Sequence, residues 1–171
     1  MNSTATILTA EMTALLARFR ELALTTATLK ALEKSIAETI AAQLPAYNWT
    51  GFYWLDPEDA GTLVLGAFVG EPTPHVRIPV TQGICGAAVS TGETVVVDDV
   101  RADPRYLSCS LKTKSEIVVP IYARGKVVGE IDIDSHAPAA FTEIDRAFLE
   151  EAARIVGAFI ERLPGEAIES L

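Results

Sequence analysis

With 171 residues, 49% of them apolar and 22% charged, the chain has material for one hydrophobic core and is excluded from the globally disordered class. Fourteen Lys and Arg against 23 Asp and Glu leave a formal net charge of −9, so neither nucleic acid nor an anionic membrane is expected as a partner. Only Cys85 and Cys109 occur, too few for a disulfide scaffold, and no basic residue precedes an apolar run at the start. A soluble, cytoplasmic protein is therefore the expectation.

Two helices are expected first. Thr9 caps one that carries Leu15, Leu16, Phe19 and Leu22 at helical spacing. Thr25 or Thr26 caps the next, which runs through Leu44 with Leu29, Leu32, Ile36 and Ile40 on one face and is stopped by Pro45. From Asn48 the period changes to two. Residues 49–55 and 62–69 read as a hairpin around the turn at 56–61, 76–80 as a short extended piece, 83–91 as a helix ended by Gly92, and 93–97 as another strand. Residues 98–115 read as a long functional loop. Residues 116–123 and 126–135 form a second hairpin through Arg124-Gly125, and Thr142 with Asp145 supplies a capping box for a long last helix. Strands and helices do not alternate strictly, so the expected fold is α+β: a mostly antiparallel sheet with the N-terminal helices and the C-terminal helix covering one side. The whole chain, 1–171, reads as one domain: helices to 44, sheet, loop and last helix over 45–163, and a tail at 164–171.

Candidate chemistry lies in three places. On the strand 126–135, Glu130, Asp132 and Asp134 project to one side while Ile131 and Ile133 project to the other. A solvated polar face is the simplest account of the acids. Two features oppose it, namely the like charges at alternate positions and the apolar strands on either side. If Asp132 and Asp134 instead line a pocket with Glu116, repulsion and desolvation raise at least one pKa and make a proton donor available near neutrality. Cys109 lies in the irregular loop, either as an incidental thiol or as a nucleophile whose thiolate Lys112 and Lys114 favour. Cys85 reads equally as a small buried hydrophobe or as a redox thiol. Trp49 and Tyr53 share a strand side across Gly51, as core or as the wall of a small pocket. His75 and His136 have no zinc-site spacing to the cysteines, and no phosphate-binding glycine motif occurs, so no metal or other cofactor is expected.

Asn48-Trp49-Thr50-Gly51-Phe52-Tyr53, Val76-Arg77-Ile78-Pro79, Gly83-Ile84-Cys85-Gly86, Cys109 ahead of Ser115-Glu116-Ile117-Val118-Val119-Pro120, and Asp132-Ile133-Asp134-Ser135 occur in that order. Together they resemble the free methionine-(R)-sulfoxide reductases, single-domain enzymes of the GAF fold, over about residues 48–156. The resemblance implies that Cys109 attacks the sulfoxide sulfur of the free amino acid and becomes a sulfenic acid. It implies further that Glu116, Asp132 and Asp134 bind the substrate ammonium and protonate the sulfoxide oxygen, and that Trp49 and Tyr53 hold the methyl end. A second thiol would then form a disulfide that thioredoxin or a small thiol reduces. The chain departs from that pattern at His75, which stands where the resolving cysteine commonly lies, leaving Cys85 or an external thiol to take the role. Ser110 stands where Asp is common, and Glu130 where the residue is commonly apolar. A GAF-type sensor that binds a small molecule without turnover is the competing expectation, and a homodimer formed through the N-terminal helices is compatible with both.

Overall fold

A computed structural model describes residues 7–108 and 110–164. Helices α1 (Ala10–Thr25) and α2 (Leu29–Gln43) lead into strands β1 (Trp49–Leu55), β2 (Thr62–Val69) and β3 (Arg77–Pro79). Helix α3 (Gly83–Thr91), strands β4 (Val95–Val97), β5 (Ser115–Ala123) and β6 (Lys126–Ser135), and helix α4 (Glu143–Arg162) complete the chain. The second helix is capped two or three residues later than the sequence suggests, at Thr28 rather than Thr25 or Thr26. Thr25 returns its hydroxyl to Glu21 O of its own helix, and Thr28 instead accepts the Ala31 amide at 3.2 Å as the cap. Thr9 and the Thr142–Asp145 capping box stand where the sequence places them.

The strands form one six-stranded sheet in the order β3-β2-β1-β6-β5-β4, with every neighbouring pair antiparallel. Period-two alternation on β1, β5 and β6 splits the apolar residues between two cores. Phe52, Trp54, Ile117, Val119, Ile121, Ile131 and Ile133 pack against α1, α2 and α4. Tyr53, Trp49 and Val118 face the other way and meet Cys85 of α3 with Tyr106 and Leu107 of the long loop. The expectation that helices cover one side is thus incomplete, because α3 and the 98–114 loop close the second face. Their cover explains why the acidic side of β6 is not solvated.

Two anchors hold the larger core. Glu33 of α2 is buried and accepts Trp54 Nε1 at 2.6 Å, with desolvation raising its pKa despite that bond. Helix α4 lies so close on β5 that a Cβ at Gly157 would stand 2.0 Å from Tyr122 O. Gly157→Ala is therefore expected to destabilise the protein by about 2 kcal/mol or more, read as a lower urea midpoint. An unchanged midpoint would show that α4 can lift off the sheet at no cost. Arg124 (φ 52°) and Gly125 (φ 74°) both adopt left-handed backbone in the β5–β6 turn, and the Arg124 amide donates to Glu161 Oε1 of α4 at 2.6 Å.

Candidate active site

Register on β6 builds the site. Asp134 lies between Trp49 of β1 and Glu116 of β5, Asp132 between Gly51 and Val118, and Glu130 between Tyr53 and Pro120. All four carboxyls are inside the protein: Glu130 is 0% exposed, Asp132 3%, Asp134 4% and Glu116 5%. The solvated reading of this strand face is therefore wrong, since α3 and the loop lie over it. Among the described residues none of the four acids has an ion-pair partner.

Burial without a counterion makes ionisation costly. Desolvation first, then the neighbouring carboxylates, pushes Glu116 well above its ordinary pKa. Desolvation with Asp134 does the same to Asp132, and desolvation with Asp132 to Glu130. Asp134 is raised by burial to about 7, against a lowering hydrogen bond from Thr113. Cys85, on the first turn of α3, donates to Asp132 Oδ2 at 3.6 Å. Desolvation and the carboxyls of Asp132, Glu130 and Glu116 raise its thiol pKa. Cys85 Sγ and carboxylate oxygens of Glu116 and Asp132 lie within 4.8 Å of one another. Among the described residues that is the one grouping close enough to chelate a cation, and it includes neither His75 nor His136.

Trp49 and Tyr53 share the acidic side of the sheet, with ring centroids 6.3 Å apart. A Cβ at Gly51 would stand 2.3 Å from the Trp49 ring, so the missing side chain is what lets the indole lie flat along β1. Trp49 lines a cavity of about 30 Å³ together with Asn48, Glu71, Ser110, Thr113, Asp134 and His136. Tyr53 sits deeper beside Glu130, with its hydroxyl donating to His75 O at 2.8 Å, and is not part of that lining.

Cys109 lies outside the described residues; its neighbours Ser108 and Ser110 are both held by hydrogen bonds, and Ser110 lines this cavity. A ring nitrogen of His75 pairs with Ser108 O at 3.1 Å, and Ser110 Oγ donates to Glu71 at 3.3 Å. Lys112, read from sequence as a partner for the thiolate, forms an ion pair with Glu71 instead. Leu107 lies against Gly83, so the loop crosses the start of α3, two residues before Cys85. Sequence reasoning missed Thr113, Glu71 and the lining role of His136. Thr113 is a threonine between lysines in an irregular loop, and nothing in its spacing marks it as a buried donor to Asp134.

Buried acids without a counterion, beside a small hollow walled by Trp49, can bind a cationic amino group and donate a proton to a polar oxygen. The GAF domain family profile matches residues 25–160, which sets the class. Protein YtsP of Bacillus subtilis is 46% identical over 110 residues, covering 64% of this chain and 66% of that one. The free methionine-R-sulfoxide reductase of Saccharomyces cerevisiae is 43% identical over 110 residues, covering 64% and 61%. The chain thus spans slightly less than two thirds of the length of these curated relatives. The structure of free methionine-R-sulfoxide reductase from Neisseria meningitidis in complex with its substrate is 32% identical, with a TM-score of 0.83 over 94% of this chain and 96% of that one. The chain belongs to the GAF domain family, within its free methionine-R-sulfoxide reductase branch. Among the described residues no helix is long and apolar enough to cross a membrane.

Proposed function

We propose that the protein reduces free L-methionine-(R)-S-oxide to methionine. The Cys109 thiolate attacks the sulfoxide sulfur, the oxygen accepts a proton from the acids, and it passes to Cys109 as a sulfenic acid while methionine leaves. Glu116, Asp132 and Asp134 share the tasks of holding the substrate ammonium and supplying that proton, and Trp49 with Tyr53 behind it contains the methyl end. Cys85 then attacks the sulfenic acid, water departs, and thioredoxin or a small thiol reduces the resulting disulfide. The observation that supports this reading most is the enclosure of three buried acids without a counterion beneath the loop that carries Cys109. Such a cluster is stabilised by an arriving ammonium and retains protons that a leaving oxide needs.

The test is conversion of the separate R and S diastereomers in the presence of a thiol reductant, followed by methionine analysis. Methionine from the R form alone is expected. Tight binding of the R form without methionine would favour a ligand-binding GAF sensor instead. The protein is proposed to act in the cytoplasm as a homodimer joined through the N-terminal helices, where Leu24 is 74% exposed. Light scattering that gives the monomer mass at micromolar concentration would remove the dimer.

A further inference from the structure

Three of the buried groups make up the donor set of a borderline-soft metal ion. Cys85 Sγ of α3, a Glu116 oxygen of β5 and an Asp132 oxygen of β6 lie within 4.8 Å of one another. A tetrahedral zinc, with bonds of about 2.3 Å to sulfur and about 2.0–2.2 Å to carboxylate oxygen, sets two such ligands roughly 3.6 Å apart. Cys85 Sγ and Asp132 Oδ2 stand 3.6 Å apart. The three residues come from separate elements, so no zinc-site spacing shows in the sequence. A second observation is independent of that spacing. Asp132 is 3% exposed, yet its Oδ1 has no hydrogen-bond partner, and no ion pair reaches Asp132 or Glu116 among the described residues.

We propose that Cys85, Glu116 and Asp132 form a binding site for zinc or a divalent cation of similar softness, with a fourth position for water. The ion supplies the positive charge that these acids lack and a partner for the orphan oxygen. The thiol proton, and any proton on the two acids, passes to solvent, and no electron moves. A sulfur ligand selects zinc over magnesium and calcium, which take oxygen donors. Asp134, opposite Glu116 in the β5–β6 register, lines the cavity of about 30 Å³, which gives the ion a way in. The consequence for activity rests on the reading of Glu116 and Asp132 as acids that serve the substrate. Bound zinc takes the oxygens that an ammonium would meet and holds Cys85 as a thiolate, so it inhibits reduction.

Cobalt(II) reports this coordination directly, because a thiolate ligand adds a sulfur-to-cobalt charge-transfer band and a tetrahedral site an intense visible one. The reduced full chain, stripped with a chelator, is titrated with cobalt chloride, and zinc or magnesium is then added. Wild type and Cys109→Ser are expected to show both bands, to lose them to zinc and to keep them with magnesium. Cys85→Ser is expected to lose the sulfur band, and Glu116→Gln to bind cobalt about 10–100-fold more weakly, with circular dichroism reporting that each is folded. A wild type without the sulfur band, or a band that depends on Cys109 or survives in Cys85→Ser, would overturn the site; wild type and Cys109→Ser decide this even if the other variants misfold. Zinc is expected to suppress methionine formation from the R-sulfoxide, with recovery on adding chelator. Full-rate reduction with zinc bound would leave the metal site standing and count against the substrate roles of Glu116 and Asp132. Absence of methionine from the metal-free protein would count against the reductase reading alone.

Discussion

Cys109→Ser is expected to bring methionine formation from the R-sulfoxide to background, a loss of roughly 1,000-fold or more. Serine fits the same space, but its oxygen is a weak nucleophile and cannot accept the sulfoxide oxygen to form a sulfenic acid. Binding should persist, because Glu116, Asp132, Asp134 and Trp49 are untouched. Cys85→Ser gives the contrasting pattern of about one equivalent of methionine per protein, a sulfenic acid that stays trappable on the Cys109 peptide, and no intramolecular disulfide. Quantifying methionine and mapping that peptide in both variants decides the assignment. Retained turnover in Cys109→Ser would move the nucleophile elsewhere, and Cys85 is the remaining thiol.

Unfolding free energy is expected to fall as pH rises from about 4 toward 7, with Asp134 one contributor beside Glu116, Glu130 and Asp132, whose carboxyls burial also raises. The Asp134 carboxyl has an ordinary pKa of 3.8 and is raised to about 7 by burial. The folded protein therefore binds that proton more tightly than the unfolded chain does. The associated stabilisation is fully present below the unfolded value and is lost as pH passes through the folded one. The difference of about three pH units corresponds to roughly 4 kcal/mol at pH above 7. Asp134→Asn removes the titration while keeping the size of the side chain. Its advantage over the wild-type protein should thus be largest at pH 8 and close toward pH 4. Urea unfolding of both proteins across that range checks it, and parallel pH curves would show that Asp134 titrates alike in folded and unfolded chains. Loss of the Thr113 hydrogen bond would shift the Asn variant by a pH-independent amount and leave the slope as the diagnostic.

The same strand shows how the acids can serve binding and cost stability together. Asp134 faces Glu116 across the β5–β6 pairing with Asp132 two residues along, and among the described residues no ion pair reaches any of the three. A cationic substrate supplies what the fold omits. Free protein is accordingly less stable than the liganded form, by an amount that grows with ligand concentration over its dissociation constant.

Much of the architecture follows from local pattern. Capping threonines at 9 and 142, the change from helical to two-residue period at Asn48, and the Arg124-Gly125 turn specify their elements because each acts through neighbours within about four residues. The pairing of Trp49 with Tyr53, and of Glu130 with Asp132 and Asp134, on single strand sides is likewise a consequence of alternation. The start of α2 was less legible, since Thr25, Thr26 and Thr28 all have capping chemistry and only the fold shows which hydroxyl is free to use it.

What alternation leaves open is which side of a strand is covered. The three acids of β6 look like a solvated face in sequence, and they are buried because α3 and the 98–114 loop, remote along the chain, come to rest over them. Tertiary packing likewise turned Lys112 toward Glu71, placed Cys85 against Asp132, and set Thr113 on Asp134. The sequence by itself determined the elements, the two-sided segregation of β1 and β6, and the residues able to do redox and acid chemistry. Only the tertiary structure decided that these acids are buried together, because desolvation and charge repulsion depend on distances between segments that no local spacing encodes.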